Sequence, residues 1–212
     1  DHIYGLQVFE EQGAEIWAPR GAEKYLRSAN AGERLEERRF SLDPWVNETT
    51  RLVEPDRYIA ERETFELGEV RFTVSPVGAA HSDADLTLYV EPDRVLFSGD
   101  ILFEGRVPFL GDANSGNWLE VLQRMEVQQL VALVPGHGAL AGDPNHAIAT
   151  MRRYLSYLRD TMGAAVNDFV PFDEAYAATD WSEFEHLPAF AEANRRNAYQ
   201  VYLSMEAESL PE

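Results

Sequence analysis

Three residues with metal-binding side chains each follow a short strand-like run, next to glycine or a glycine-led turn. His81 follows one such run, Asp100 follows the run 95–98, and His137 stands between two glycines directly after the run 130–134. Polar side chains delivered by several strand ends are a common way for a sheet-based protein to assemble a site. This recurrence indicates a sheet-based fold with one shared site.

The residue types in this pattern favour a metal site. Imidazole nitrogen and carboxylate oxygen together suit a borderline divalent ion such as zinc, with iron or manganese as alternatives. A carboxylate has two oxygens, so Asp100 can bridge two ions. The chain has no cysteine, which excludes disulfide scaffolds, iron–sulfur clusters and thiol nucleophiles.

The periodicity of apolar residues predicts a mixed α+β chain. Short strands separated by turns are expected between residues 57 and 103, and a helical tail is expected after residue 143. The tail contains a stripe at helical spacing, formed by Ile148, Met151, Leu155, Leu158 and Met162. Further elements are expected as helices at 3–12, 21–39, 117–126, 173–178 and 189–207 and as strands at 14–18 and 130–134.

The ordered motifs resemble those of the metallo-β-lactamase fold superfamily of metal-dependent hydrolases. Asp1-His2 matches the closing pair of the family's His-x-His-x-Asp-His motif, and His81 matches its lone histidine. Asp100 matches the bridging aspartate, and His137 matches the last histidine. The resemblance runs from residue 1 to about residue 150 and implies a four-layer αβ/βα sandwich.

The resemblance also carries an expectation about the extent of the chain. The two leading histidines of the first motif are not in the sequence, so we expect a truncated N-terminal part that lacks the first strands. Residues 1–145 are then an incomplete metal-binding domain, and residues 146–212 are a helical C-terminal extension that packs on it.

The family pattern implies a ligand set and a reaction. Two divalent ions, zinc first, are expected on Asp1, His2, His81, Asp100 and His137, with Asp100 between them. His81 belongs to one ion and Asp1, His2 and His137 to the other. A metal-bound hydroxide then attacks a small ester, thioester, lactone or lactam, and Asp1 and Asp100 are the catalytic residues that orient it.

Several functional alternatives stay open. The absence of cysteine excludes β-lactamases with a Cys ligand, and the sequence looks more like glyoxalase II-type thioesterases, lactonases and the zinc metallohydrolases that accompany quinoprotein systems. The segment 112–114 with Trp118 and the run 195–197 favour the last group. The alternatives are a mononuclear iron persulfide dioxygenase-like oxidoreductase and a degenerate, non-catalytic binding module.

Charge limits the partners. The chain has 37 Asp+Glu against 18 Lys+Arg, a formal net charge of -19, which disfavours nucleic acid. No run approaches the roughly 18–20 apolar residues of a membrane span. A small-molecule substrate is expected, homo-oligomerisation is left open, and the sequence does not choose between cytoplasm and periplasm.

Three side-chain roles are predicted with their alternatives. Asp83 either hydrogen-bonds a ligating histidine or caps its loop. Arg195 and Arg196 either bind a substrate carboxylate or form surface ion pairs. The aromatic residues Phe103, Phe109 and Trp118 either line a pocket mouth or pack in the core.

Overall fold

The computed structural model describes residues 2–126 and 129–209, apart from the side chain of Glu126. The chain divides into two compact units, residues 1–63 and 64–212. The predicted boundary after residue 145 falls inside the second unit. The domains 1–145 and 146–212 stay a prediction.

The first unit combines short helices with a two-stranded parallel sheet. A small core of Tyr4, Leu35 and Val46 supports it. Helix α3 begins where the hydroxyl of Ser28 accepts a hydrogen bond from the Ala31 N–H, at 3.3 Å. The elements of the unit are α1 (Leu6–Glu10), β1 (Trp17–Pro19), α2 (Ala22–Leu26), α3 (Ala29–Ser41) and β2 (Arg57–Ile59).

The second unit contains a five-stranded sheet whose first strand begins at the last residue of the first unit. Its strands are β3 (Glu63–Leu67), β4 (Val70–Gly78), β5 (Asp85–Glu91), β6 (Val95–Phe103) and β7 (Ala132–His137), side by side in chain order. β5 is antiparallel to both β4 and β6, whereas β6 and β7 are parallel. Parallel pairing brings the carboxyl ends of β6 and β7 to the same edge of the sheet.

Strand β6 is longer than predicted. The strand was expected to stop at Ser98, since the glycine after it reads as a turn, but it continues through Asp100 to Phe103. Gly99 has φ +52°, and the register with β7 shifts on both sides of it. The glycine therefore forms an irregularity within the strand instead of ending it, and Asp100 lies inside the strand at this kink.

Four helices complete the second unit. They are α4 (Ser115–Glu126), α5 (Pro144–Asn167), α6 (Phe172–Ala178) and α7 (Phe190–Ser209). The predicted apolar stripe of α5 is confirmed, because all five of its residues are buried. They share one hydrophobic core with residues of β6, α4 and α7, such as Ile101, Leu122 and Ala198. The helical tail therefore packs on the same core as the sheet.

The predicted α+β class is confirmed by this mixture of helices and strands. Each predicted helix and strand has a counterpart, with 21–39 divided into α2 and α3. Among the residues that the structure describes, no helix has the length and apolar character needed to cross a bilayer.

Candidate metal centre

The second unit brings three of the predicted ligands together around one carboxylate. His81 Nδ1 lies 3.6 Å from Asp100 Oδ2, and His137 Nε2 lies 3.4 Å from Asp100 Oδ1. Each oxygen of Asp100 therefore faces a different imidazole. The side chains are partly shielded, with exposures of 12% for Asp100, 21% for His81 and 29% for His137.

These separations fit metal ligands better than hydrogen-bonded partners. Both distances exceed the roughly 2.7–3.2 Å typical of an N–H···O hydrogen bond. Two donors bound at about 2.1 Å to a tetrahedral ion lie about 3.4 Å apart, which is close to the observed distances. Imidazole and carboxylate donors are also the types that a divalent ion of this kind prefers.

Glycine on β7 makes room for the central carboxylate. A Cβ atom built on Gly136 would lie 2.0 Å from Asp100 Oδ1 and 2.7 Å from the carbonyl carbon of Gly99. Any other residue at Gly136 would therefore displace Asp100 or bend the strand. The glycine before His137 is required by close packing against β6, a reason that the sequence did not show.

The loop that carries His81 is braced by Asp85. This carboxylate accepts hydrogen bonds from the N–H of Ala80 (3.2 Å), the N–H of Ser82 (2.9 Å) and the Ser82 hydroxyl (2.7 Å). Burial raises the pKa of Asp85, although the hydrogen bonds from Ser82 oppose this effect. The bracing acid is therefore Asp85. Asp83, for which a hydrogen bond to a ligating histidine and a loop cap were the predicted alternatives, is exposed.

Residues before and within helix α4 fix the chain leading to His81. The N–H of Asn114 donates to the carbonyl of Ala80 at 2.8 Å. The Asn117 amide donates to the carbonyl of Ala79 at 2.6 Å. The 112–114 segment therefore contacts the residue immediately before His81.

Aromatic rings shield the two histidines. Phe103 stacks on His137, with centroids 4.9 Å apart and planes inclined by 22°, and Trp118 contacts His81 edge-on at 5.5 Å. Trp118 is fully buried and donates from Nε1 to the carbonyl of Ile101 at 2.9 Å. Burial lowers the pKa of His81, with the Asp100 carboxylate acting in the opposite direction. The shift favours neutral imidazole, the form that binds a metal.

A buried polar network holds the loop after β6, residues 104–110, against α7. Asn197 accepts from the N–H of Leu110 at 3.0 Å and donates to the carbonyl of Pro108 at 2.8 Å. Asn197 also donates to the hydroxyl of Tyr154, which in turn donates to Asn194 at 2.9 Å. The sequence drew attention to Asn197 only through its arginine neighbours, and it gave no signal for Tyr154 or Asn194.

The remaining candidate residues have different outcomes. Asp1 lies outside the described residues, and His2 belongs to the first unit and is exposed, so their role as ligands stays a prediction. Arg195 forms an exposed ion pair with Asp173 at 2.6 Å, which agrees with the surface alternative. Arg196 instead lies over the ring of Phe109, 5.0 Å from its centroid.

A sheet that holds two imidazoles near a central carboxylate and shares its core with packed helices defines an α+β protein with a candidate metal centre. Comparison with known families is more specific. The family described as the metallo-beta-lactamase superfamily matches residues 1–137, and the chain belongs to that superfamily. No curated protein matches the chain.

Solved structures have the same fold. The chain is similar to a metallo-beta-lactamase from Pontibacter korlensis, at 21% identity and a TM-score of 0.55, with 74% of this chain and 64% of that chain covered. For a metallo-beta-lactamase family protein from Thermus thermophilus the identity is 19%, the TM-score 0.59 and the coverage 78% and 60%. The stereoselective inverting sec-alkylsulfatase Pisa1 from Pseudomonas sp. is similar at 16% identity and a TM-score of 0.67, with 92% of this chain and 37% of that chain covered.

These similarities confirm the predicted metallo-β-lactamase-type fold and concern the fold alone. The chain spans less than two thirds of the length of each of these three structures.

Proposed function

We propose that the protein is a metal-dependent hydrolase that acts on a small ester, thioester, lactone or lactam. Membership of the superfamily supports a metal-dependent hydrolase-like function in general. The observation that carries the proposal is the position of Asp100, whose two carboxylate oxygens face the nitrogens of His81 and His137. A carboxylate placed in this way can serve two ions at once.

The proposed ligands are those of the family pattern. In the proposed site, His81 and Asp100 would hold one ion, and Asp1, His2, His137 and the same Asp100 would hold the second. Zinc is the proposed metal, with iron and manganese as alternatives, because nitrogen and oxygen donors are combined without sulfur. The roles of Asp1 and His2 rest on the motif alone.

The chemistry divides between the metal and the protein. A bound divalent ion lowers the pKa of coordinated water and polarises the oxygen of a carbonyl group. Asp100 and, in the proposed site, Asp1 offer carboxylate oxygens that accept hydrogen bonds from a water molecule and orient it toward the substrate. Phe103 and Trp118 shield the histidines and thereby strengthen the local electrostatic interactions.

The test is a substitution of His81, which is the ligand most enclosed by aromatic rings. We expect His81→Ala to lose at least half of the bound metal and to lower kcat/KM on the best substrate at least 100-fold, because one imidazole donor disappears. Metal is measured by elemental analysis, and activity is measured on matched ester, thioester, lactone and lactam panels. His186→Ala is the control, since His186 is exposed and outside the proposed ligand set.

Other results would contradict the proposal. Full metal content and activity in the His81→Ala variant would remove His81 from the site. Iron as the bound metal, with oxygen uptake on glutathione persulfide and no hydrolysis, would favour the persulfide dioxygenase alternative. A protein that binds no metal and hydrolyses none of the substrates would favour a non-catalytic binding module.

A further inference from the structure

A cavity of about 410 Å³ lies beside the candidate metal centre within the second unit. The 104–110 loop and the start of α7 form it, and Phe103 belongs to its lining. The same Phe103 ring stacks on His137 and lies 5.6 Å from the ring of His81. The cavity is therefore one aromatic ring away from the residues proposed to bind metal. Its volume falls at the lower end of small-molecule sites, which span roughly 300–1,000 Å³.

The inner lining of the cavity is apolar and fixed in place. Val107 and Ala193 are almost completely buried, whereas Phe109 is exposed at the cavity mouth. The N–H of Val107 donates to the carbonyl of Pro188 at 3.0 Å, which ties the loop to the chain segment before α7. Together with the Asn197 network, this bond holds both walls of the cavity. A preformed apolar surface of this kind suits the hydrocarbon part of a small ligand.

Two arginines give the cavity an electrostatic preference. Arg106 lies in the lining, and Arg196 covers the ring of Phe109. Within the described part of the chain neither arginine forms an ion pair, although the protein carries 37 acidic residues. A guanidinium pairs well with a carboxylate, through two parallel hydrogen bonds. Glu192 also lines the cavity and acts against an anion there.

We propose that this cavity is the substrate-selecting site of the protein and that it takes an apolar group bearing a carboxylate, with Arg106 as the anion partner. The substrate class then narrows to esters, thioesters or lactones that carry an aromatic or branched apolar group and a carboxylate away from the scissile bond. The role of the cavity in substrate selection rests on the proposed function, whereas its preference for a carboxylate ligand can be measured without any turnover.

The test compares two ligands of nearly the same shape, the anionic 4-propylbenzoate and the neutral 4-propylbenzamide, by calorimetric titration of the zinc-loaded protein. We expect the carboxylate to bind at least tenfold more tightly than the amide. In Arg106→Gln that preference should fall below threefold while amide binding stays within twofold. Arg62→Gln is the matched control, because Arg62 is an exposed arginine of the first unit and its loss changes the net charge equally.

Two further variants assign the ligand to the cavity. Ala189 lines the cavity, and its φ of +64° is already adopted by a residue with a Cβ atom. Ala189→Leu therefore adds side-chain volume to the cavity without requiring a different backbone conformation. This variant should weaken the binding of both ligands at least tenfold. Glu192→Gln should tighten the carboxylate two- to fivefold. Circular dichroism and thermal melting establish that each variant is folded.

Equal affinities for the two ligands, or a preference that survives Arg106→Gln, would overturn the inference. A preference that survives Arg106→Gln and disappears in His81→Ala would place the carboxylate on the metal instead. Failure of hydrolysis with a normal Arg106-dependent preference would overturn the proposed function and leave the cavity assignment intact.

Discussion

Replacing Gly136 by alanine tests the central packing feature of the candidate metal centre. The new Cβ would lie 2.0 Å from Asp100 Oδ1, whereas real Cβ contacts are essentially never shorter than 3.0 Å, so this oxygen must move by about 1.0 Å (3.0 − 2.0). The Gly99 carbonyl carbon, at 2.7 Å, and the Asp100 nitrogen, at 2.8 Å, must also yield. Displacing backbone in a packed sheet costs about 1–3 kcal/mol.

We expect Gly136→Ala to lose at least half of the bound metal and to unfold at a lower temperature. The displacement is large compared with the tolerance of about 0.2 Å for metal–ligand distances. Metal content is measured by elemental analysis after dialysis, and stability by thermal unfolding of the same sample.

The control is the same substitution at Gly142, in the segment after β7. A Cβ there meets no atom within 4 Å, so Gly142→Ala should leave metal content and melting temperature unchanged. Normal metal binding and normal stability in Gly136→Ala would refute the reasoning, because the carboxylate would then have moved without consequence.

Two further predictions concern residues that support the site. Asp85→Asn leaves one acceptor oxygen for the three donors around the His81 loop. Zinc affinity, measured by chelator competition, should therefore fall about tenfold or more. The control Asp83→Asn, at an exposed residue, should not change zinc affinity. Asn197→Ala removes the hydrogen-bond partner of two buried backbone groups of the 104–110 loop. The free energy of unfolding, measured by urea titration, should fall by about 2 kcal/mol. Gln200→Ala, on the same helix, is the control. Unchanged zinc affinity in the first variant or unchanged stability in the second would contradict these roles.

The sequence predicted the candidate ligands of the second unit because each follows a strand-like run and stands next to glycine or a glycine-led turn. His81, Asp100 and His137 could be named from that local pattern alone. The distances between these residues could not be predicted, because they depend on the irregularity of β6 at Gly99 and on the close approach that glycine allows at position 136. The pattern even misplaced the end of β6, because a glycine with positive φ can lie within a strand as well as after it.

The supporting residues were harder to predict for two different reasons. Asp83 and Asp85 are both close enough in sequence to brace His81, and only the backbone conformation between residues 78 and 85 selects Asp85. Tyr154 and Asn197 come together across 43 positions on two helices, and each reads as an ordinary polar residue on its own helix. A tertiary network of this kind has no local sequence pattern.

The Asn197 contacts also bear on the order in which the protein is made and folded. The two backbone groups that Asn197 satisfies lie 87 and 89 residues earlier in the chain. During synthesis the N-terminal parts of a chain emerge first, and such distant contacts form only once both partners are available. The strands of the sheet and the residues His81, Asp100 and His137 are therefore all synthesised well before the 104–110 loop can be held in place by Asn197. Helix α7 supplies that last contact, so the apolar cavity acquires its final shape only after Asn197 has left the ribosome.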